Sequence, residues 1–328
     1  MNQGKIPENV LKRSILKYIP NMPREAFSKP GVGVDFCCLD CDDDSEMIFS
    51  SYVCSGFPED IRFSCLKKGA NNLYAANSTP VGVMLSILFP IDTEEPDIQN
   101  MMKFLSSEAK ELGMGILGGH TEISADVSKP VINVTSVGIV KKGQKITSQG
   151  AHPEEDVVIT KWVGLEGTVI LADRYKDKLL SKFPERMIFE ARQYDRFLLV
   201  DHEAAPAAKS GVTAMHDASF GGIFAGLWEL AHASRVGLEI DLRKIPIKQE
   251  TIEICNFFDL NPYELLSGGS MIMTSPDGNG LVSELSKEGV YACVVGRTTA
   301  NNDVVVLNGE NRRFLEPPKS DEIYKEII

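Results

Sequence analysis

The sequence has little of what a membrane-spanning or nucleic-acid-binding protein needs. Its longest nearly continuous apolar run, Val81 to Ile91, is interrupted by Ser86 and Pro90, and a spanning helix needs about 20 apolar residues. Positive charge is also scarce, because 34 Lys and Arg stand against 46 Asp and Glu and give a net charge of −12. This balance argues against binding to a phosphate backbone, and no apolar signal segment lies near the N-terminus. We therefore expect a soluble, cytoplasmic protein without nucleic-acid or membrane partners.

Several common site motifs are absent as well. The chain has no Walker A loop, no dinucleotide-binding fingerprint and no nucleophile elbow. Its seven cysteines are an odd number, which favours reduced intracellular thiols over a disulfide framework. One CxxC pair, Cys38 with Cys41, has no second pair at a spacing suitable for zinc. None of these site types is therefore indicated.

Helix and strand patterns alternate in two successive halves of the chain. The clearest helix is predicted from Thr93 to Leu112, where apolar residues recur on one stripe. The run from Val81 to Phe89 predicts a strand that is buried on both faces. The polar segment from Lys141 to Pro153 contains two glycines and one proline, which is typical of a linker. The pattern predicts an α/β or α+β fold with domains at residues 1–150 and 151–328.

Two places combine a short strand with glycine, histidine and an acid. In the first, a strand over residues 114–117 leads into Gly118 and Gly119, and paired glycines let a ligand approach the backbone closely. Thr121 and Glu122 follow and offer oxygen atoms suited to Mg²⁺. The alternative is a tight turn after the strand, with the intervening histidine hydrogen-bonded in the packing.

The second place is the segment MHDASFGG at residues 215–222. Asp217 or Ser219 can cap the helix that follows. Gly221 and Gly222 at the helix start leave backbone amides open to an anion. The alternative is an ordinary capped helix.

Two further glycine segments are weaker candidates. Asp35 follows Gly31 and Gly33, and a glycine-flanked acid on a strand either binds a metal ion or lies at a strand edge. The segment from Ser267 to Ser270 places two glycines before a strand, and its alternative is a simple turn.

Taken in order along the chain, these segments resemble the superfamily of aminoimidazole ribonucleotide (AIR) synthase, the PurM-like proteins. That superfamily includes the hydrogenase maturation factor HypE, thiamine-monophosphate kinase and selenophosphate synthetase, and the resemblance is greatest to HypE-like, AIR synthase-related proteins. The matching segments are Gly4–Pro7, Gly31–Asp35, Asn71–Asn72, Gly118–Glu122, Thr160–Thr168, Met215–Gly222 and Asn261–Ser270.

The resemblance implies a PurM-like two-domain architecture. In it, an N-terminal α/β domain forms a dimeric barrel and a C-terminal α/β domain follows. It also implies a homodimer that binds ATP between its domains and Mg²⁺ through acids. Family members use ATP to activate an amide-type oxygen or to phosphorylate a small molecule, and HypE acts on a carbamoylated cysteine. A maturation partner protein and an unidentified small-molecule substrate are therefore the implied partners.

The resemblance also assigns roles to individual residues. The residues implied to bind ATP are Lys5, Asn72, Gly118, Gly119, His120, Thr121, Gly221 and Gly222. The implied Mg²⁺ ligands are Asp35 and Glu122. His216 and Asp217 are implied to close the catalytic site from the second domain.

Three positions depart from the family pattern. Tyr52 stands where relatives carry an acid on the second strand, Asn72 where they carry aspartate, and Phe220 where an acid or another polar residue is usual. At least two charges expected around the metal ion are missing, because an amide is neutral and a phenol is a poor Mg²⁺ ligand. The chain also ends without the C-terminal cysteine that HypE modifies, so it is not expected to follow that self-modifying chemistry.

Two hypotheses follow from the resemblance and its departures. The first is an ATP-dependent enzyme that acts on a small molecule or a partner protein. The second is a non-catalytic, nucleotide- or ligand-binding relative with a partly degraded metal site. The residues Tyr52 and Asn72 are the feature that separates them.

Overall fold

A computed structural model describes residues 7–19, 30–61, 65–317 and 320–326. The chain divides into two compact units. The N-terminal unit holds residues 35–145, and the C-terminal unit holds residues 30–34 and 146–328 together with the first helix. Each unit contains one sheet with helices, which confirms the predicted mixed α/β class.

The elements are numbered in chain order. The helices are α1 (Glu8–Ser14), α2 (Pro58–Ile61), α3 (Leu66–Ala75), α4 (Glu95–Glu111), α5 (Leu165–Arg174), α6 (Lys176–Leu180), α7 (Glu185–Arg192), α8 (Asp201–Lys209), α9 (Gly222–Ser234), α10 (Gln249–Phe258) and α11 (Gly278–Lys287). The strands are β1 (Phe36–Asp40), β2 (Ser45–Ser55), β3 (Thr79–Pro90), β4 (Gly115–Ser124), β5 (Val131–Lys141), β6 (Asp156–Thr160), β7 (Ala214–Ala218), β8 (Gly237–Asp241), β9 (Ser270–Ser275), β10 (Ala292–Thr299), β11 (Val304–Asn308) and β12 (Asn311–Phe314). Short 3₁₀ helices lie at Leu16–Tyr18, Gln193–Phe197, Leu242–Lys244 and Glu322–Lys325.

The sheet of the N-terminal unit has the strand order β1-β2-β5-β3-β4. Neighbouring strands are antiparallel except β3 and β4, which are parallel and are connected through α4. Helix α3 packs against β2, β3 and β5, and α4 contacts α3 and β4. These helices cover one face of the sheet, and β1 and β4 form its two edges.

The other face of this sheet exposes apolar side chains, which corrects the prediction for β3. The strand was expected to be buried on both faces, but Val81 is 40% and Met84 is 50% exposed, whereas Leu85 is buried. Side chains of a strand alternate between the two faces, and here the second set remains open. Val53 on β2 and Ile139 on β5 are also exposed, and we call this surface the open face.

The sheet of the C-terminal unit has the strand order β12-β11-β8-β10-β6-β9-β7. Strands β8 and β11 are parallel and the other neighbours are antiparallel. Helix α9 packs against β7, β8 and β11, and Leu227, Leu230 and Leu238 are buried in the core between them. Helices α5, α7 and α10 build a second cluster around Leu171 and Ile254. In the described part of the chain, none of the helices has the length and apolar character that crossing a membrane requires.

A buried ion pair links β6 to α8. Lys161 directly follows β6, and its Nζ lies 2.6 Å from Oε1 of Glu203 on α8. The same Nζ donates a hydrogen bond of 2.6 Å to the carbonyl oxygen of Leu199. Burial lowers the pKa of Lys161 and raises the pKa of Glu203, so each charge depends on its partner in this interior position.

A buried carboxyl group faces the start of α3. Oε2 of Glu108 on α4 accepts a hydrogen bond of 3.3 Å from the amide of Leu66. Its Oε1 has no hydrogen-bond partner among the described residues. Burial raises the pKa of Glu108 to about 7, so the folded protein holds this proton over a pH range in which the unfolded chain has lost it.

This shift predicts a pH-dependent effect of Glu108→Gln. The folded pKa of about 7 is above the unfolded value of 4.5, so Glu108 favours folding below pH 4.5, and this contribution is lost as the pH rises through 7. The uncharged amide avoids that loss. Urea denaturation should show the variant more stable than the unmodified protein by about 3 kcal/mol at pH 8, and nearly equal at pH 4. The same difference at both pH values would contradict the ionisation of Glu108.

Candidate functional site

The glycine and histidine segment of the N-terminal unit lies inside a strand. The sequence predicts a strand that ends at residue 117, but β4 continues through Gly118 and Gly119 to Ser124, which corrects that prediction. It continues because it pairs with β3 along this whole segment. His120 and Glu122 share a face, and Nε2 of the histidine lies 3.1 Å from Oε2 of the glutamate on the exposed surface.

The packing of the two strands requires glycine at one of the paired positions. A Cβ on Gly119 would overlap the carbonyl oxygen of Leu85 on β3, whereas a Cβ on Gly118 would meet no atom within 4 Å. Both glycines have a φ of +155°, a conformation that other residues rarely adopt. Gly119 therefore allows β3 and β4 to pair, and its contact with ATP stays a prediction.

Two further residues are predicted to bind ATP, Thr121 and Lys5. Thr121 is exposed on β4 and alternates in side-chain direction with its neighbours His120 and Glu122. Lys5 lies outside the described residues.

Asn72 and Asp35 are connected through Ser50. Nδ2 of Asn72 donates a hydrogen bond of 2.7 Å to Oγ of Ser50. That hydroxyl donates a hydrogen bond of 2.9 Å to the main-chain carbonyl of Asp35. No sequence motif marks Ser50, although it lies two residues before Tyr52 and on the same face of β2. The structure thus brings one predicted ATP-binding residue close to one predicted metal ligand.

The two predicted metal ligands lie at opposite edges of the sheet. Asp35 directly precedes β1 and Glu122 belongs to β4. Four inter-strand spacings separate these edges, on the order of 19 Å along the sheet, whereas oxygen ligands lie about 2.1 Å from Mg²⁺. One chain therefore does not bring these two carboxylates together. Across the ranges that the structure describes, no three His, Cys, Asp or Glu side chains form a group that could hold a metal ion.

A lysine ammonium lies beside the position where an acid is missing. Lys68 on α3 is buried, and its Nζ is 5.4 Å from the centroid of the Tyr52 ring on β2. Lys68 and Asn72 are four residues apart and share one face of α3. The two neutral side chains of Tyr52 and Asn72 thus lie close to the ammonium of Lys68.

His216 and Asp217 lie in β7 and are both buried. Nε2 of His216 lies 3.1 Å from Oε2 of Glu229 on α9, so this histidine connects the strand to the helix. Adjacent residues of a strand direct their side chains to opposite faces, so His216 and Asp217 do not form one acid–base pair. A catalytic role for either residue stays a prediction.

The backbone amide at the start of α9 is hydrogen-bonded to a carboxylate of the chain itself. Oδ2 of Asp321 accepts a hydrogen bond of 2.7 Å from the amide of Gly221. Its Oδ1 accepts hydrogen bonds from the amides of Leu266 at 3.1 Å and Ile323 at 2.9 Å. We call these three amides the amide cradle. Asp321 was not predicted as a site residue, since it is 100 residues from Gly221 and no local pattern marks it.

A pocket of about 330 Å³ opens next to the amide cradle. Gly222 has a φ of +66°, and a Cβ there would lie 2.5 Å from the carbonyl oxygen of Tyr263, so close packing requires this glycine. The pocket is lined in part by Phe224, Glu264 and Arg313. The guanidinium carbon of Arg313 lies 5.1 Å from the centroid of the Phe224 ring. This end of α9 thus offers a cation, an acid and an aromatic face to a small polar group.

Two family profiles match the chain in succession. The profile described as AIR synthase related protein, N-terminal domain, matches residues 44–140. The profile of the C-terminal domain of the same family matches residues 153–308. Together they cover more than three quarters of the chain.

Named relatives match over most of their length. A putative hydrogenase expression/formation protein of Methanocaldococcus jannaschii is 25% identical over 260 residues, which are 77% of this chain and 75% of the relative. The carbamoyl dehydratase HypE of Rhodobacter capsulatus is 24% identical over 238 residues, or 71% of this chain and 68% of the relative.

Solved structures have a similar fold. Hydrogenase maturation protein HypE in complex with ATP has a TM-score of 0.67 and 15% identity, covering 96% of this chain and 95% of that one. The thiamine-monophosphate kinase AaThiL with AMPPCP and TMP has a TM-score of 0.68 and 18% identity, covering 87% and 91%. A HypE–HypF complex has a TM-score of 0.65 and 17% identity, covering 86% and 93%.

Proposed function

Because this chain belongs to the AIR synthase related protein family, we propose that it binds ATP between its two domains and uses it to activate or phosphorylate a small molecule or a group on a partner protein. The observation that carries the proposal is the fold, which matches proteins solved with ATP or AMPPCP over most of the chain. In this proposal the domains are residues 1–150 and 151–328. The ATP contacts are those implied by the resemblance, and His216 with Asp217 completes the catalytic site.

We propose that the active form is a cytoplasmic homodimer. The open face exposes Val53, Met84 and Ile139, and a second copy would remove such apolar surface from water. A metal site that uses both Asp35 and Glu122 needs two copies of the chain, since they lie at opposite sheet edges. The HypE–HypF complex supports a maturation protein as a further partner of this chain.

A second function is favoured by the residues around Tyr52. There the chain combines Tyr52 and Asn72, both neutral, with the ammonium of Lys68. Such a set supports a relative that binds a nucleotide or another anionic ligand without metal-dependent turnover. Cleavage of ATP separates the two functions, since only the enzyme breaks a phosphoanhydride bond, whether the phosphoryl group passes to water or to an acceptor.

Isothermal titration of the full chain with ATP and with AMPPCP tests the proposed function. We expect binding of one nucleotide per chain in buffer with Mg²⁺, with EDTA, or in both. At a free nucleotide concentration 100 times Kd, the free energy of unfolding should rise by about 2.7 kcal/mol. Adenosine, which lacks phosphates, serves as the control and should stabilise the protein far less. Absence of nucleotide binding in both buffers would overturn the proposal.

A further inference from the structure

Two cysteines of the N-terminal unit face each other in its interior. Cys54 lies near the end of β2, and Cys65 directly precedes α3. Their Sγ atoms are 3.0 Å apart, although the two residues are 11 positions apart in the sequence. Both side chains are buried, and α3 packs on β2. The packing of the helix on the strand therefore brings two thiols into direct contact.

The separation of the two sulfur atoms is close to that of a disulfide. Bonded sulfur atoms are about 2.05 Å apart, so those of Cys54 and Cys65 have to approach by about 1 Å. A small rotation of either side chain within its rotamer provides a shift of this size. The strand and the helix are thus already placed for a bond between these residues.

A metal site would be the other use of such a pair. The carboxyl group of Glu108 accepts a hydrogen bond from the amide of Leu66, the residue directly after Cys65, and thiols and carboxylates both bind metal ions. In the part of the chain that the structure describes, however, no three side chains of these types are grouped so that they could hold an ion. The contact between the thiols therefore favours redox chemistry over metal binding.

The two thiols differ in exposure and in acidity. Cys54 is 7% exposed, whereas Cys65 is completely buried. The hydrogen bond with Cys54, followed by burial, raises the pKa of the Cys65 thiol well above its usual range, and the charge of Glu108 adds to this effect. The thiolate is the reactive form of cysteine, so Cys65 is not the first to react. Cys54 is therefore the thiol that meets an oxidant.

We propose that Cys54 and Cys65 form a reversible disulfide when the protein is exposed to hydrogen peroxide. The sulfur atom of Cys54 attacks one peroxide oxygen, so that an S–O bond forms, the O–O bond breaks and the other oxygen leaves as water with the thiol proton. Cys65 then attacks the sulfur of the sulfenic acid. The S–S bond forms, the S–O bond breaks, and the hydroxyl group leaves as a second water with the proton of Cys65. The two cysteines lose two electrons, which reduce the peroxide.

This bond would join the two elements that carry the departures from the family pattern. Tyr52 belongs to β2 and Asn72 to α3, and the disulfide would attach the helix to the strand covalently. The other five cysteines would remain thiols, in agreement with a protein that is reduced apart from one redox-sensitive pair. Formation of the bond does not depend on nucleotide binding.

Peptide mapping of the full chain after peroxide treatment tests the bond. The protein is unfolded and alkylated without reduction. It is then cut with trypsin, which cleaves at Arg62 between the two cysteines, and with Asp-N, which separates Cys54 from the three earlier cysteines. We expect a linked Cys54–Cys65 peptide and a fall of about tenfold or more in the free Cys65 peptide, both reversed by dithiothreitol. Recovery of Cys65 as a free thiol, from a sample in which the exposed Cys41 is oxidised, would overturn the proposal.

Cys255 is the internal control, because it is completely buried in the C-terminal unit. Burial raises its pKa to about 12, and it should be recovered as a free thiol from the same sample. Equal oxidation of Cys255 and Cys65 would overturn the assignment, since contact with a second thiol would then confer no selectivity.

Cys65→Ser and Cys54→Ser separate the two steps. In Cys65→Ser, the sulfenic acid of Cys54 has lost the thiol beside it, so labelling of Cys54 by dimedone should exceed that of the unmodified protein by about tenfold or more. In Cys54→Ser, Cys65 should remain a thiol. Circular dichroism verifies that each variant folds, and the mapping of the unmodified protein needs no variant. Equal dimedone labelling of Cys54 with and without Cys65 would overturn the second step.

Discussion

Replacing Gly119 with alanine is expected to lower the free energy of unfolding by about 3–5 kcal/mol. The new Cβ would overlap the carbonyl oxygen of Leu85, which is part of the backbone and cannot rotate away. The parallel pairing of β3 with β4 must open to admit the methyl group, and His120 and Glu122 move with β4. Urea denaturation followed by far-UV circular dichroism measures the loss.

Gly118→Ala is the matched control for that variant. Gly118 has the same φ of +155°, but a Cβ there meets no atom within 4 Å. Only the backbone conformation disfavours alanine at this position, so we expect the free energy of unfolding to fall by about 1 kcal/mol. Equal losses for the two variants would show that the close approach to Leu85 does not determine the need for glycine.

Glu203→Ala is expected to destabilise the protein by about 3–5 kcal/mol. The variant removes the carboxylate at 2.6 Å from the buried ammonium of Lys161, and the hydrogen bond to the neutral carbonyl of Leu199 does not balance the charge. Burial already lowers the pKa of Lys161, and loss of the carboxylate lowers it further. Denaturation followed by tryptophan fluorescence is suitable, because Trp162 and Trp228 both belong to the C-terminal unit.

The double variant Lys161→Met with Glu203→Leu provides the test of mechanism. It removes both charges and replaces them with apolar side chains, so most of the stability should return. A double variant as unstable as Glu203→Ala would show that lost packing, rather than an uncompensated charge, causes the effect.

The fold was predictable where the hydrophobic pattern that determines an element lies within the sequence of that element. The apolar stripe predicts a helix over Thr93–Leu112, and α4 spans Glu95–Glu111, because its buried side chains recur within the segment. The strand at β3 was predicted correctly, but its burial on both faces and the end of β4 at residue 117 were wrong, because both depend on neighbouring elements. Burial of Met84 is decided by which face the helices cover, and continuation of β4 past Gly118 is decided by its pairing with β3.

In the candidate site, too, some features were predictable from the sequence and others depend on how the elements pack. The sequence indicates the region of Asn72 and Asp35, and the structure connects them through Ser50. The sequence does not indicate Lys68, because lysine in a helix is usually solvent-exposed and only the packing of α3 on β2 buries it. The separation of Asp35 from Glu122 follows from strand order, which no spacing of residues reveals.

Asp321 has a practical consequence for how this domain is delimited. The family profile ends at residue 308, yet the amides of Gly221 and Leu266 donate hydrogen bonds to the carboxylate of Asp321. A fragment cut at the profile boundary would uncover the amides of Gly221 and Leu266, together with the ring of Phe220 that stacks on Tyr324. Expression boundaries for this domain should therefore be chosen from hydrogen bonding rather than from family similarity, and should extend beyond Tyr324.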